Sequence, residues 1–243
     1  MNIIPVPGSP VARVDINATE SIFIILPEGF FLNGAHHHYP VQPPGAPAPT
    51  YAGTPLGGDG GWYGSGVVRY HKRRYESPTL IIQTKLALDG EDLNIDLTVR
   101  NLSGATWDMW SYANVCYKPY MLDPSGGGLT HVYRNGATPT VGSIVAIPQD
   151  GPYPGQFGLW FSRPEAQPDV HGPFIYRRDP ASTRHTGIGW NKICTVGGNF
   201  HQGSCIHASP YIGVSHGDSM SASGRIVMDA PTLGVLFDKF TIV

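Results

Sequence analysis

A regular alternation of residue types between Thr79 and Arg100 constrains the fold more than any other stretch of the sequence. In a β-strand, successive side chains point to opposite faces, so residues two apart share a face. On this period, one face of the segment is formed by Leu80, Ile82, Thr84, Leu86, Leu88, Leu93, Ile95, Leu97 and Val99. The other face is polar. The pattern predicts two strands with one side buried and the other facing water or a polar cleft.

The two strands are predicted to form a hairpin, because Asp89-Gly90 between them is a strong turn signal. Two pairing registers keep the apolar faces together. A two-residue turn sets Leu88 opposite Glu91, whereas a four-residue loop sets Leu88 opposite Leu93. Cross-strand packing favours the second register, because it brings two leucines together.

The composition indicates the same class for the whole chain. Its 243 residues include 31 glycines and 23 prolines, and only 14% of the residues are charged. Such a composition favours short strands joined by tight turns over helices. We predict an all-β protein, a two-sheet antiparallel sandwich of the supersandwich or jelly-roll type. Strands are expected over residues 11–16 and 20–26, where Pro27-Glu28-Gly29 ends the second, and over residues 234–243.

A single domain spanning residues 1–243 is expected, because all-β sandwiches reach this size as one unit. A long loop is predicted at about residues 30–66, which are crowded with proline and glycine. Loops of this length inside a compact domain are usually lids or binding loops. Aromatic residues such as Trp62 give this loop anchors on the sandwich.

The charge balance argues against a nucleic-acid partner, because the net charge is −2 and the basic run at residues 71–74 is short. That run is interpreted as a solvated strand face. No apolar run approaches the roughly 20 residues of a membrane span. Residues 1–10 do not resemble a secretory leader. A cytoplasmic protein is therefore expected, or an extracytoplasmic one if a leader has been removed.

The three cysteines, Cys116, Cys194 and Cys205, cannot all pair with one another. A protein of this size needs no disulfide for stability, so free thiols are the simpler expectation. A bridge between Cys194 and Cys205 is the alternative.

The segment from His201 to Met228 joins a polar cluster to a strand signal over residues 219–228. Cys205 and His207 share a face if this stretch is extended, which suits metal ligation or a base beside a thiol. The alternative is a small buried thiol beside a core histidine. Both interpretations stay open on the sequence alone.

A wider pattern in the same segment resembles a known fold group. The spacing Cys205-x-His207-x-Ser209-Pro210-x-x-Gly213, followed by Gly217-Asp218-Ser219 and Gly224-x-Ile226, is similar to an uncharacterised group of bacterial proteins with the galactose mutarotase-like supersandwich. In that family a glutamate commonly stands where this chain has Asp218. Residues 93–116 also resemble the family's long strand ending in Val-x-Asn. The resemblance implies a two-sheet sandwich.

The resemblance also implies that a histidine acid and a carboxylate base move a proton on a sugar ring. Such a pair needs separated pKa values on opposite sides of the bound ring. His207 is the predicted acid, and His201 is predicted to join it in the catalytic site. Glu165 is the predicted base, with Asp179 as the other carboxylate considered.

Aromatic side chains crowd residues 107–120. Aromatic rings stack on the apolar faces of sugars, and amides bond their hydroxyls. Trp110, Tyr112 and Asn114 are therefore predicted to bind a saccharide, and packing of the rings in the core is the alternative. Trp62 and Arg134 complete the predicted set of substrate-binding residues.

A histidine-rich metal site is a further hypothesis. His36 and His38 share a face if residues 35–39 are extended, and His131 is a candidate third ligand, with His201 and His207 as alternatives. Such a site suits a divalent metal such as zinc. The alternative is that these histidines are exposed or singly hydrogen-bonded.

The leading hypothesis is a carbohydrate-binding or carbohydrate-processing protein, of epimerase, lyase or hydrolase type, with a saccharide as partner. Two alternatives stay open: a structural or assembly protein of the capsid-like kind, and a histidine-ligated metal-dependent lyase or oxidoreductase. A homo-oligomer is compatible with each hypothesis. The usual motifs of serine hydrolases, nucleotide-binding loops and zinc proteases are absent from the sequence.

Overall fold

The chain forms two β-sheets that pack face to face. The structure is a computed structural model, and it describes residues 1–17, 21–38, 54–55, 58–119, 130–133, 156–160, 174–178, 185–191, 193–199 and 206–241. Within these ranges every pair of neighbouring strands is antiparallel except β4 (Ala35–His38) and β5 (Thr54–Pro55), which are parallel. The predicted all-β, two-sheet antiparallel sandwich is confirmed.

The first sheet has the strand order β1-β2-β3-β10-β16-β15-β12, and β4 and β5 extend it beside β3. Its strands are β1 (Asn2–Pro5), β2 (Val11–Asp15), β3 (Ser21–Leu32), β4 (Ala35–His38), β5 (Thr54–Pro55), β10 (Tyr112–Pro119), β12 (Gln156–Trp160), β15 (Ile193–Asn199) and β16 (Ile206–Pro210).

The second sheet has the order β11-β13-β14-β17-β9-β8-β7-β6. Its strands are β6 (Gly58–Tyr63), β7 (Val68–Glu76), β8 (Thr79–Asp89), β9 (Asp92–Asn101), β11 (Thr130–Tyr133), β13 (Phe174–Arg178), β14 (His185–Trp190) and β17 (Ser219–Ala230).

Each sheet has an inner face, which meets the other sheet, and an outer face. One continuous apolar cluster fills the space between the inner faces. Residues two apart on a strand enter it together, as Ile22 and Ile24 of β3 and Leu93 and Ile95 of β9 do. The alternation of the sequence thus decides which residues are buried in the sandwich.

The predicted hairpin is present as β8 and β9, and its register is the favoured one, with Leu88 opposite Leu93. Pairing continues one step further to Asp89 and Asp92, so the turn itself is Gly90-Glu91. Gly90 has a φ of 62°, a left-handed conformation that glycine adopts without a steric penalty. The predicted strand over residues 219–228 is also present, within β17.

Two segments contain more β-strand than the sequence predicts. Pro27-Glu28-Gly29 does not end β3, which continues to Leu32 because its backbone pairs with β4 and β10 on its two sides. The loop predicted at about residues 30–66 contains β4, β5 and the glycine-rich β6. An edge strand such as β6 needs only backbone hydrogen bonds to β7, so it forms without the apolar alternation that marks a strand in sequence.

The predicted strand over residues 234–243 is wrong, because helix α1 (Leu233–Thr241) occupies this position. The Thr232 hydroxyl accepts a hydrogen bond of 3.2 Å from a backbone N–H of the first turn, which caps the helix. Leu236 and Phe240, one turn apart, pack against β17. No helix within the described ranges is long and apolar enough to cross a membrane.

The expectation of free thiols is also wrong, because Cys116 of β10 is disulfide-bonded. The side chain of its partner lies outside the described residues. The sequence gives no sign of this pairing, because sheet neighbours can be distant in the chain: the residue opposite Cys116 on β16 is His207.

His71 is a buried polar side chain on the inner face of β7, opposite Thr84 of β8. Neither of its ring nitrogens has a hydrogen-bond partner in the described part of the chain. Its ring packs against Trp62, with centroids 4.9 Å apart. Burial, together with the charge of nearby Arg73, lowers the pKa of His71 to about 4. The folded protein therefore keeps this imidazole neutral.

We expect His71 to make stability depend on pH. An unfolded chain protonates this histidine below its ordinary pKa of 6.5, whereas the folded chain resists protonation down to about pH 4. Its contribution is fully present above pH 6.5 and is lost as the pH falls toward 4. From pH 7.5 to 4.5, urea unfolding should show the wild type losing roughly 2.5 kcal/mol more stability than His71→Leu. Equal losses in the two proteins would contradict this assignment.

Candidate functional site

A group of polar side chains lies on the outer face of the first sheet, where three neighbouring strands meet. We call Glu28 of β3, Asn114 of β10 and Ser209 of β16 the outer polar cluster. The Ser209 hydroxyl donates to the Asn114 side-chain oxygen at 3.1 Å, and the Asn114 amide donates to the Glu28 carboxylate at 3.4 Å. The cluster thus joins a hydroxyl, an amide and a carboxylate across three strands.

Strand alternation explains why Asn114 and Ser209 face outward. On β10 the residues on either side of Asn114, Ala113 and Val115, enter the core between the sheets. On β16 the residue before Ser209, Ala208, does the same. Their polar neighbours must therefore point to the opposite face.

A β-bulge brings Glu28 to the cluster. Asn114 pairs with Gly29, but Cys116 pairs with Ile25, so β3 carries extra residues at this point. Such bulges re-aim side chains and are common beside functional sites. Only 2% of Glu28 is exposed, and a carboxylate is costly to bury unless its oxygens are hydrogen-bonded. The fold therefore holds this carboxylate in a defined position beside Asn114.

A stacked aromatic pair borders the cluster. The rings of Phe31 and Tyr112 have centroids 5.3 Å apart and are inclined by 14°. Tyr112 is two residues from Asn114 on β10, so the two side chains share the outer face. Both rings are partly exposed. His36 of β4 pairs with Phe31 and so lies next to the ring pair.

Two further histidines have backbone positions beside the cluster. His207 of β16 pairs with Cys116, two residues from Asn114 along β10. His38 of β4 pairs with Gly29, next to Glu28. The side chains of both histidines lie outside the described residues. The intervening His37 is partly buried, and burial lowers its pKa.

The structure does not describe every predicted site residue. His201, Glu165 and Arg134 lie outside the described residues. The Trp62 indole belongs to the second sheet and donates to the Ser9 carbonyl at 2.7 Å, so the structure does not bring it to the cluster. Trp110 lies in the turn before β10 and is 38% exposed. Of the predicted substrate-binding residues, Tyr112 and Asn114 come together.

The predicted metal ligands are divided between the sheets. His36 and His38 lie on β4 of the first sheet, whereas His131 lies on β11 of the second. Across the part of the chain that the structure describes, no group of three or more potential metal ligands comes together. The zinc site stays a prediction.

Glu28 and Phe31 are not among the site residues predicted from the sequence. The proline and glycine that flank Glu28 indicated the end of a strand, although a charged residue between two long apolar runs was the available signal. Phe31 fell within the predicted loop. Ser209 appeared in the resemblance pattern but was given no role.

Two buried hydrogen bonds hold the strands of the cluster from the core side. The Tyr117 hydroxyl of β10 bonds the Thr186 hydroxyl of β14, which itself donates to the Val227 carbonyl at 2.7 Å. Because Thr186 uses its proton on that carbonyl, Tyr117 must be the donor. Burial raises the pKa of Tyr117, so the donor proton is kept.

The second of these bonds holds β16, the strand next to β10. The Trp190 indole of β14 donates to the Ala208 carbonyl of β16 at 2.8 Å. β10 and β16, which carry Asn114 and Ser209, are thus each bonded to a strand of the second sheet.

No protein-family model matches the chain, and neither does any curated protein sequence. Solved structures do match it. One is described as a galactose mutarotase related enzyme from Lactobacillus acidophilus, with 10% identity, a TM-score of 0.45 and coverage of 91% of this chain and 88% of that one. A galactose mutarotase-like protein from Lactobacillus casei has 10% identity, a TM-score of 0.45 and coverage of 93% and 99%.

A larger solved protein also matches. It is described as a GH36 α-galactosidase from Geobacillus stearothermophilus, with 10% identity and a TM-score of 0.46. The match covers 96% of this chain and 41% of that one. The structures found thus include the galactose mutarotase-like group that the sequence resembles.

We expect Tyr117→Phe to lower the free energy of unfolding by about 1 kcal/mol, because it removes one buried hydrogen bond and little volume. Thr186 keeps its bond to the Val227 carbonyl, so no buried donor is left unpaired. Urea unfolding measures the change. Tyr63→Phe is the control, because Tyr63 is 52% exposed. An equal effect of the two substitutions would contradict the assigned role of Tyr117.

Proposed function

We propose that this protein binds a saccharide at the outer polar cluster and moves protons on its ring. The observation that carries the proposal is the buried Glu28 carboxylate, held by Asn114 beside the partly exposed Phe31–Tyr112 pair. Sugars are recognised by this combination: an aromatic surface for the apolar face of the ring and a few fixed polar groups for its hydroxyls.

The polar groups supply both hydrogen-bonding roles that hydroxyls need. The Glu28 carboxylate accepts hydrogen bonds, and the Asn114 amide both donates and accepts. Ser209 fixes the orientation of that amide by donating to its oxygen. A bound sugar thus meets groups that are already oriented, which reduces the entropy lost on binding.

The proposed reaction is proton transfer between the two faces of the ring. Glu28 is the base in this proposal, and His207, on the strand next to Asn114, is the acid. The base takes the proton of the anomeric hydroxyl while the protonated histidine gives a proton to the ring oxygen. The bond between C1 and the ring oxygen breaks as the C1 carbonyl forms, and the reverse steps close the ring as the other anomer.

We expect the wild type to accelerate the interconversion of the anomers of D-galactose or D-glucose, followed by polarimetry. Glu28→Gln keeps the size of the side chain and one acceptor oxygen but removes its basicity. It should lower the rate about 10²–10⁴-fold, which is the usual contribution of general-base catalysis. His207→Gln should have a similar effect, and exposed His216→Gln, in the turn before β17, should have none.

Binding is measured separately by calorimetric titration with the same sugars. Tyr112→Ala should weaken binding about tenfold, equivalent to 1.4 kcal/mol. Val67→Ala, at an exposed apolar residue in the turn before β7, is the control and should bind normally. If the wild type neither binds these sugars nor changes their anomer exchange, the proposal is wrong. A large closed particle in light scattering would then favour an assembly protein.

A further inference from the structure

A pocket lies on the outer face of the second sheet, on the opposite side of the sandwich from the outer polar cluster. It is open and has a volume of about 570 Å³. We call it the edge pocket, because it lies against β6, the edge strand of this sheet. It is lined by Asp59, Gly60, Gly61, Trp62, Tyr63, Lys72, Arg74 and Ile81.

The floor of the edge pocket is formed by Gly61, which has no side chain. Gly61 of β6 is opposite Lys72 of β7, and a Cβ atom built on Gly61 would meet no heavy atom within 4 Å. Gly60 differs, because its Cβ would lie 2.2 Å from the Lys72 carbonyl oxygen. The backbone of β6 thus approaches β7 closely at Gly60 and leaves a gap above Gly61.

Two cations border this gap. His71 and Arg73 of β7 are buried, so the alternating residues Lys72 and Arg74 point outward and are exposed. Neither cation forms an ion pair or a side-chain hydrogen bond with any described residue. In contrast, Lys85 on the next strand of the same face is paired with a carboxylate.

The gap is bordered by a stacked pair of aromatic rings, which we call the platform. The rings of Tyr63 and Tyr70 stack with centroids 5.2 Å apart and an angle of 14°. Tyr63 is 52% exposed and Tyr70 is 36% exposed, so the pair presents ring surface to solvent. Stacked, exposed rings are suited to the apolar face of a pyranose ring.

We propose that the edge pocket binds an acidic saccharide, with a sugar ring on the Tyr63–Tyr70 platform and a carboxylate between Lys72 and Arg74. A guanidinium pairs with a carboxylate through two hydrogen bonds, and an ammonium adds a point charge. Asp59, opposite Arg74, accepts hydrogen bonds from the sugar hydroxyls.

The chemistry of the pocket favours a sugar acid over a nucleic acid. Two cations and one carboxylate leave one net positive charge, which suits one carboxylate per sugar residue. A phosphate backbone is bound by a longer run of cations, and Asp59 repels it. The edge pocket is independent of the proposed saccharide site, because the whole core of the sandwich separates the two outer faces.

The test is calorimetric titration of the full chain with hexa-galacturonate and with the same oligomer fully methyl-esterified, which keeps the rings but removes the charges. The charged oligomer should bind, and moderate salt should weaken binding because the contacts are exposed. The esterified oligomer should bind at least about tenfold more weakly. Equal binding of the two oligomers, or no binding of either, would overturn the proposal.

Variants locate the binding. Lys72→Glu with Arg74→Glu should abolish it, and Gly61→Leu should do the same by filling the gap without entering the core. Arg13→Glu is the charge control, because it reverses a partly exposed cation on the first sheet. Thermal unfolding of each variant verifies that it is folded. Unchanged binding in the folded double or Gly61→Leu variant would place the site elsewhere and overturn the proposal.

Two comparisons separate this proposal from others. A single-stranded oligothymidylate that binds as tightly as hexa-galacturonate would overturn the sugar assignment and leave only a charge effect. Tyr112→Ala should leave hexa-galacturonate binding unchanged, and Tyr63→Ala should weaken it. Each of the two proposed saccharide sites is therefore tested by its own variants.

Discussion

The hydrogen bonds that cross the core between the sheets determine how the candidate site is held. Most contacts between the sheets are apolar, and apolar contacts alone do not fix the offset of one sheet relative to the other. The bonds from Tyr117 to Thr186 and from Trp190 to Ala208 add direction, because each has one geometry. They hold β10 and β16 against the second sheet, while the direct pairing of these two strands keeps Asn114 and Ser209 adjacent on their reverse side. The positions of the side chains on the outer face therefore depend in part on bonds inside the core.

The two outer faces carry different chemistry for a physical reason. On the first sheet a bulge in β3 turns Glu28 into a sheltered position, where a carboxylate must be hydrogen-bonded to be tolerated. On the second sheet Lys72 and Arg74 remain in water, where unpaired charges cost little. The first arrangement suits chemistry on a neutral ring, and the second suits attraction of a charged one. One sandwich thus presents a sheltered carboxylate on one outer face and two exposed cations on the other.

The fold was predictable from the sequence to the extent that alternation determines burial. The β8–β9 hairpin and β17 are strands whose apolar residues recur every second position, so their existence followed from the pattern, as did the favoured register of the hairpin. The C-terminal segment also alternates, but a Thr232 cap and the spacing of Leu236 and Phe240 favour a helix. Glu28 joins the site only through a bulge, which depends on pairing with β10 and has no local sequence signal.

A neutral sugar is proposed to bind on the outer face of the first sheet. Amide chemical shifts in a two-dimensional ¹H–¹⁵N NMR titration with D-galactose report its position most directly. We expect the shifted amides to cluster at Phe31, Tyr112, Asn114 and Ser209, with the second sheet unchanged. Shifts confined to the second sheet, or none at saturating sugar, would contradict it.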